Sequence, residues 1–309
     1  MFITVCICTF RRSSVTRTIR SVAGQDVGSD GMRFGVVVVD NDDTPAGEAT
    51  VRQAFAEAGV AGEYIHAPGR NISVARNAAL AASRRNGDWV AFIDDDEFAA
   101  AGWLAELCKV ATASGADVVF GPVKAAYGPD SPAWVREGDF HSHRYLANRR
   151  VIRDGYTSNV LIRLTSTAVE GQTFLNSFGR SGGEDTEFFR RLFLRGAVMK
   201  YAEHALVHEE VAATRQTFRW LAKRSFRAGA AYGRAKDLHR PQRVRVLAMA
   251  SEAGKVLWST AAAGLTAFRR YDSLKWFFRA CVHAGALAYL LGLSIPDTYG
   301  GEPANGSRA

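Results

Sequence analysis

The chain has 309 residues, 47% of them hydrophobic, which allows one large α/β domain with an appendage and excludes a disordered protein. Its net charge of +8 is concentrated in residues 211–245, where ten Lys and Arg face the single acid Asp237, so the remainder is nearly neutral. Four scattered cysteines (Cys6, Cys8, Cys108, Cys281) exclude a disulfide scaffold and read as reduced core residues of a cytosolic chain.

Residues 2–9 follow Met1 directly and read as a first strand, with neither the basic start nor the length of a signal peptide. The apolar runs 3–8, 35–39, 63–66, 89–93 and 117–120 alternate with stretches of helical length and period, such as 73–85. That alternation predicts βαβ units and a mainly parallel sheet, which binds ligands beyond the carboxyl ends of its strands. Three of those ends are polar: Thr9-Phe10-Arg11-Arg12, Asp40-Asn41-Asp42-Asp43 and Asp94-Asp95-Asp96-Glu97. The topology predicts that they converge on one rim.

Residues 121–150, with Pro122, Pro129, Pro132 and the aromatic group Tyr127, Trp134, His141, His143 and Tyr145, read as loops and short elements over the sheet. A strand is expected at 160–163, a helix entered through Gly182-Gly183-Glu184-Asp185, and one or two strands at 198–201 and 205–208. Beyond Thr214 the character changes. Residues 218–236 predict a basic amphipathic helix with Arg219, Lys223 and Arg227 on one face. The apolar stretches 244–268 and 276–295 are interrupted by Glu252, Lys255, Arg279 and His283, which favours interfacial or monotopic helices over two spans, with a plain helical subdomain as the alternative.

The run at residues 89–97 carries the chemistry, because an apolar strand ends in four carboxylates. Two carboxylates about 4 Å apart repel by roughly 4 kcal/mol at an effective dielectric near 20, so a site that keeps both ionised supplies a cation. Oxygen-only ligands suit Mg²⁺ or Mn²⁺ carried by a phosphorylated ligand. A solvated acidic loop is the alternative.

The segments Thr9-Phe10-Arg11-Arg12, Asp40, Asn71-Ile72-Ser73-Val74-Ala75-Arg76-Asn77, Asp94-Asp95-Asp96, Glu184-Asp185 and Val207-His208 occur in an order that resembles the family 2 inverting glycosyltransferases of the GT-A fold. The resemblance covers roughly residues 2–210 and, among relatives, is to the glucosyltransferases that build bacterial exopolysaccharides such as succinoglycan. It implies that Asp94 and Asp96 bind ribose and a divalent metal (Mn²⁺ or Mg²⁺), with Asp95 turned elsewhere. It makes Asp185 the general base with Glu184 beside it, and His208 a third metal ligand, Glu209 being the alternative. Asp40 would accept from the uracil of a UDP donor and Thr9 would line that pocket. Arg76 would neighbour the diphosphate, although the family's glycine in that segment is replaced by the Ser73-Val74 region. Gln216-Thr217-Phe218-Arg219-Trp220 resembles the family's QxxRW motif, in which Trp220 would stack on an acceptor sugar while Gln216 and Arg219 approach the diphosphate.

Each residue also fits a plainer role: Asp185 as a helix cap, Asp40 in a turn, Arg76 on a helix surface, His208 in packing, and residues 216–220 as the start of an amphipathic helix.

The resemblance therefore implies a GT-A, Rossmann-like fold with a nucleotide-sugar half at 1–120, an acceptor and base half at 121–213, a basic, apolar helical region at 214–299 suited to a membrane, and a flexible tail at 300–309. The implied partners are a UDP-sugar, a lipid-pyrophosphate-linked oligosaccharide and an anionic membrane at the cytoplasmic face, with no nucleic acid. Two other functions are weighed. Transfer to polyprenyl phosphate is opposed by the Asp185 base, since a phosphate is already a nucleophile. A non-catalytic nucleic-acid-binding protein would use the arginine stripe but has no recognisable binding motif.

Overall fold

A computed structural model describes residues 1–26, 31–143 and 151–293; Tyr145, the end of the 276–295 stretch and the 300–309 tail lie outside the described residues. The elements in chain order are β1 (Phe2–Thr9), α1 (Val15–Ala23), β2 (Arg33–Asp40), α2 (Glu48–Ala58), β3 (Gly62–His66), α3 (Ile72–Asn86), β4 (Trp89–Asp94), β5 (Glu97–Ala99), α4 (Trp103–Ser114), β6 (Val118–Phe120), β7 (Val123–Ala126), α5 (Ala133–Gly138), β8 (Asn159–Arg163), α6 (Glu184–Leu194), β9 (Met199–Tyr201), β10 (Val207–Glu210), α7 (Phe218–Leu238), α8 (Arg245–Leu265) and α9 (Arg270–Leu290).

Seven strands form one sheet in the order β3-β2-β1-β4-β8-β6-β9, in which β8 alone runs antiparallel to its neighbours. The continuous apolar runs of β1 and β4 follow from burial on both faces: Ile3, Val5 and Ile7 pack toward α1 and α4, while Cys6 packs toward α3. A fully buried Ile contributes roughly 2–3 kcal/mol by removal from water. The four cysteines are free. Helix α3 begins where Asn71 accepts hydrogen bonds from the Ser73 and Val74 amides at 3.0 and 3.3 Å, an N-cap that accounts for an Asn at that point.

A second sheet, β5-β10-β7, lies beside the first. Its short strands β5 and β7 had no signal in the hydrophobic pattern, because three or four residues are too few to show a period. Asn159 ties the two sheets together. Its Nδ2 donates to the Pro122 and Ala205 carbonyls at 2.9 and 2.7 Å, and its Oδ1 accepts from Trp103 Nε1 at 2.8 Å.

Helices α7, α8 and α9 pack as a layered group, α9 in the middle. The backbones of α7 and α9 are in contact. A Cβ on Gly229 would sit 1.8 Å from the Val282 carbonyl oxygen, and one on Gly285 would sit 1.9 Å from that of Phe226. Among the described residues no helix is long and apolar enough to cross a membrane.

Candidate active site

The register Thr9↔Asp40 and Cys8↔Asp94 brings the ends of β1, β2 and β4 to one level, so the three polar ends share a rim. Asp95 points into the protein, where Thr9 Oγ1 donates to it at 2.8 Å and Arg12 Nη1 at 3.0 Å. Burial pushes its carboxyl up to about 7, against the pull of Arg12. Asp96 points the other way: its Oδ2 gathers both Arg12 and, at 3.4 Å, Arg215. The same Arg215 nitrogen lies 3.1 Å from Glu209, so one guanidinium is shared by two carboxylates. Glu97 is buried and accepts from the Asp94 amide at 3.0 Å, which props the turn; burial and then Asp94 push its pKa well up. Asp94 is raised by burial and lowered by Arg76.

A cavity of 440 Å³ opens beside this cluster, lined by Thr9, Arg11, Arg12, Asp40, Asp42 and Gly47 among others. Asp40 forms part of its wall. The carboxylate accepts from Tyr64 Oη at 2.8 Å and from the Asp42 amide at 3.0 Å, so the turn role and the pocket role coexist. Asp42 is held below the usual range by a two-pronged hydrogen bond from Arg11.

Gly183, at φ +88°, makes the left-handed turn into α6; a Cβ there would stand 2.9 Å from the Ala231 carbonyl oxygen. The turn directs Asp185 toward Asp94 and Glu184 inward. Asp185 accepts from the Thr186 amide at 2.6 Å, and burial followed by Glu184 pushes its carboxyl up to about 7. Arg76 is neither on the surface nor in the wall of the 440 Å³ cavity. It is 7% exposed, bonds Glu184 through Nη1 and stands 3.9 Å from Asp94 through Nη2. Glu184 Oε2 has no partner.

On the far side of Asp96, Trp220 stacks on His141, centroids 5.6 Å apart, with Arg215 and Arg224 over its ring at 5.9 and 5.4 Å. His141 bonds Tyr127 Oη and the Arg215 carbonyl, each at 3.1 Å, and burial lowers its pKa to about 4. Arg224 bonds His143, whose pKa burial lowers to about 3.

Thr9, Asp40, Arg76, Asp94, Asp96, Glu184, Asp185 and Trp220 are thus gathered along one continuous face. Three expected residues are not. In β10, His208 pairs with Phe98 and stacks on its ring at 5.1 Å, beside Arg17, while Glu209 faces the carboxylates. Alternation along a strand sends neighbours to opposite faces, so only one of the two can reach Asp96. Arg219 is exposed on α7, and Gln216 is buried with Nε2 on the Val211 carbonyl at 2.7 Å. Arg215 occupies the place expected of Arg219. Arg12, Glu209, Tyr64 and Arg224 complete the site; Arg12 and Glu209 stood within or beside the motifs that carry the resemblance, whereas Tyr64 lay in the 63–66 run and Arg224 in the 218–236 helix without a role.

The carboxylate set suits a divalent cation. Asp96 already draws two cationic groups to a single oxygen, and Asp94, Asp96 and Glu209 offer hard oxygen donors. Among the described residues no group of three or more His, Cys, Asp or Glu is placed to hold a metal ion, so a cation at Asp94 and Asp96 would need oxygens from a bound phosphate as well.

The family model described as glycosyl transferase family 2 matches residues 4–168. The succinoglycan biosynthesis protein ExoM of Rhizobium meliloti (strain 1021) is 39% identical over 302 residues, covering 97% of this chain and 96% of that protein. Among solved structures, the mannosyltransferase PcManGT from Pyrobaculum calidifontis in complex with GDP-Man and Mn²⁺ superposes with a TM-score of 0.61 at 17% identity, covering 94% of this chain and 87% of that one. S. aureus TarS 1–349 superposes with a TM-score of 0.55 at 16% identity, covering 94% and 92%, and its complex with UDP with 0.52. The two structural likenesses show the fold, a GT-A α/β arrangement with a helical C-terminal region. The family match and the near full-length relative show that the chain belongs to glycosyl transferase family 2, and it is a glycosyltransferase.

Proposed function

We propose that the chain is an inverting, metal-dependent transferase that moves a hexose, glucose by the resemblance to exopolysaccharide glucosyltransferases, from a UDP-sugar to a hydroxyl of a lipid-pyrophosphate-linked oligosaccharide in bacterial exopolysaccharide synthesis. The observation that carries it is Asp185, a carboxyl raised to about 7 that faces the same cluster as Asp94. A base with that pKa is half ionised near neutral pH and can take a proton from an alcohol as the alcohol attacks.

In this reading residues 1–120 hold the donor, 121–213 the acceptor and base, and 214–299 the membrane side. Asp40 and Thr9 border the 440 Å³ cavity in which the uridine sits. Asp94 would meet the ribose, and Asp94, Asp96 and Glu209 would supply oxygens to Mg²⁺ or Mn²⁺ together with the donor's phosphates. The cation, when bound, offsets the negative charge that gathers on the departing diphosphate. Arg12 and Arg215 border the same space and add fixed positive charge there. Asp185 removes the acceptor proton, the acceptor oxygen bonds to the anomeric carbon, and the bond from that carbon to the diphosphate breaks with UDP leaving from the opposite face. Arg76 holds Glu184 and keeps α6 oriented. Trp220 offers only part of its ring to an acceptor, because His141 stacks on it. The enzyme works at the cytoplasmic face of the plasma membrane, attached peripherally.

A donor screen by UDP release, with Mn²⁺ or Mg²⁺ and with EDTA, tests this. Metal-stimulated release that disappears in Asp185→Asn while UDP still binds is the expected result. No stimulated release with any UDP-sugar would sink the reading.

A further inference from the structure

We infer that the outer face of α8 is the surface by which the enzyme lies on an anionic lipid bilayer, an inference that rests on the membrane attachment proposed above and gives it a location. Along this helix part of the usual arrangement is inverted. Two polar groups turn inward, Glu252 binding His283 of α9 at 2.8 Å and Ser259 being 1% exposed, while Ser251, Lys255 and Thr260 stay exposed. Large apolar groups turn outward: Leu247, Leu257, Trp258 and Leu265 are 65–74% exposed, and Phe268 just beyond the helix is 84% exposed. Their spacing places them on one continuous stripe of a 3.6-residue helix.

The occupant follows from length and charge. Twenty-one residues give a helix about 31 Å long. Such a helix can lie along its whole length in the plane of a lipid surface. Exposed cations flank the stripe: Arg243 precedes α8 and Arg270 follows it, with Lys255 on the helix paired to Glu252 and Arg269 paired to Asp272 at 2.9 Å. Glu252 is turned away toward Lys255 and His283. Cations around an apolar stripe with a Trp near its middle match phospholipid with negative headgroups.

A 370 Å³ cavity extends this surface inward. Trp134, Phe218, Ala267, Arg270, Ser273 and Leu274 line it, so it opens at the α8–α9 turn beside Phe268 and reaches Phe218 at the start of α7, two residues from Trp220.

The test is co-flotation of the full chain with vesicles of phosphatidylcholine and phosphatidylglycerol in equal parts, alongside phosphatidylcholine alone. Because the altered side chains are exposed, Trp258→Glu/Phe268→Glu should fold and bind UDP as the unaltered chain does. The unaltered chain should float with the mixed vesicles more than with the neutral ones, and the double variant should bind at least about tenfold more weakly. Equal flotation of the double variant would overturn the assignment to α8 while leaving membrane attachment standing. Failure of the unaltered chain to float would overturn both. A dimer that the double variant converts to monomer, with vesicle binding unchanged, would assign the stripe to a second copy and overturn the proposal. A chain that floats but binds no UDP would support the surface and count against the donor reading alone.

Discussion

Arg76 and Asp94 face each other across 3.9 Å at the centre of the site, and the other nitrogen of the same guanidinium holds Glu184. One buried cation therefore joins the end of β4 to the start of α6. Removing it leaves Glu184 and Asp94 uncompensated, and deleting one partner of a buried ion pair costs about 3 kcal/mol or more. Arg76→Ala should lose about that much in urea unfolding. A loss within about 0.5 kcal/mol, the size of an ordinary surface substitution, would show that the link is unimportant.

The pH dependence of transfer should report Asp185. A base acts ionised, so kcat/KM should fall about tenfold per pH unit below its pKa and level off above it. The break is expected at about 7. In Asp185→Asn the rate should drop at least about a hundredfold and this acidic limb should vanish. An unchanged profile in the variant would assign the limb to another group.

The two faces of β10 separate His208 from Glu209 as metal-site candidates. Glu209→Gln should weaken Mn²⁺ binding in the presence of UDP by about tenfold, as loss of a group beside a metal ligand typically does. His208→Ala, which removes only stacking on Phe98, should leave it near the unaltered value. Calorimetry or electron paramagnetic resonance can read both, and the reverse order would restore His208 as the ligand.

Glu97 should make the protein less tolerant of high pH. Its folded pKa is raised, so its contribution to stability is complete below the unfolded carboxylate range and is lost as pH rises through the folded value. Gln mimics the neutral acid and can still accept from the Asp94 amide. Urea unfolding should therefore show Glu97→Gln level with the parent at acid pH and more stable at alkaline pH. Equal curves at both extremes would mean that Glu97 is ionised in the fold.

Much of this architecture can be read in the sequence wherever a period is long enough to see. The runs at 3–8, 35–39 and 89–93 mark β1, β2 and β4, and the alternation with helices predicts the parallel order that sets Thr9, Asp40 and Asp94 on one rim. Parity was not legible. Whether His208 or Glu209 faces the acids depends on the pairing of β10 with β5, a strand of three residues that includes Glu97 itself. Likewise Arg215 and Arg219 are four apart in a basic segment. What separates them is that the chain between β10 and α7 bends through a single turn of 3₁₀ helix, which leaves Arg215 over Asp96 and Arg219 in solvent. Arg76 stood in a segment that the resemblance marked, but its burial had no signal, because a buried helix arginine requires two acids from distant segments to meet it.

The contact between Gly229 and Val282, and between Gly285 and Phe226, makes α7 and α9 behave as one strut. At such an approach no side chain intervenes that could repack, so the helices cannot slide past each other without backbone collision. The start of the strut carries Trp220, and its other side bears α8. The chain thus contains a fixed gauge between its outermost helix and its chemistry.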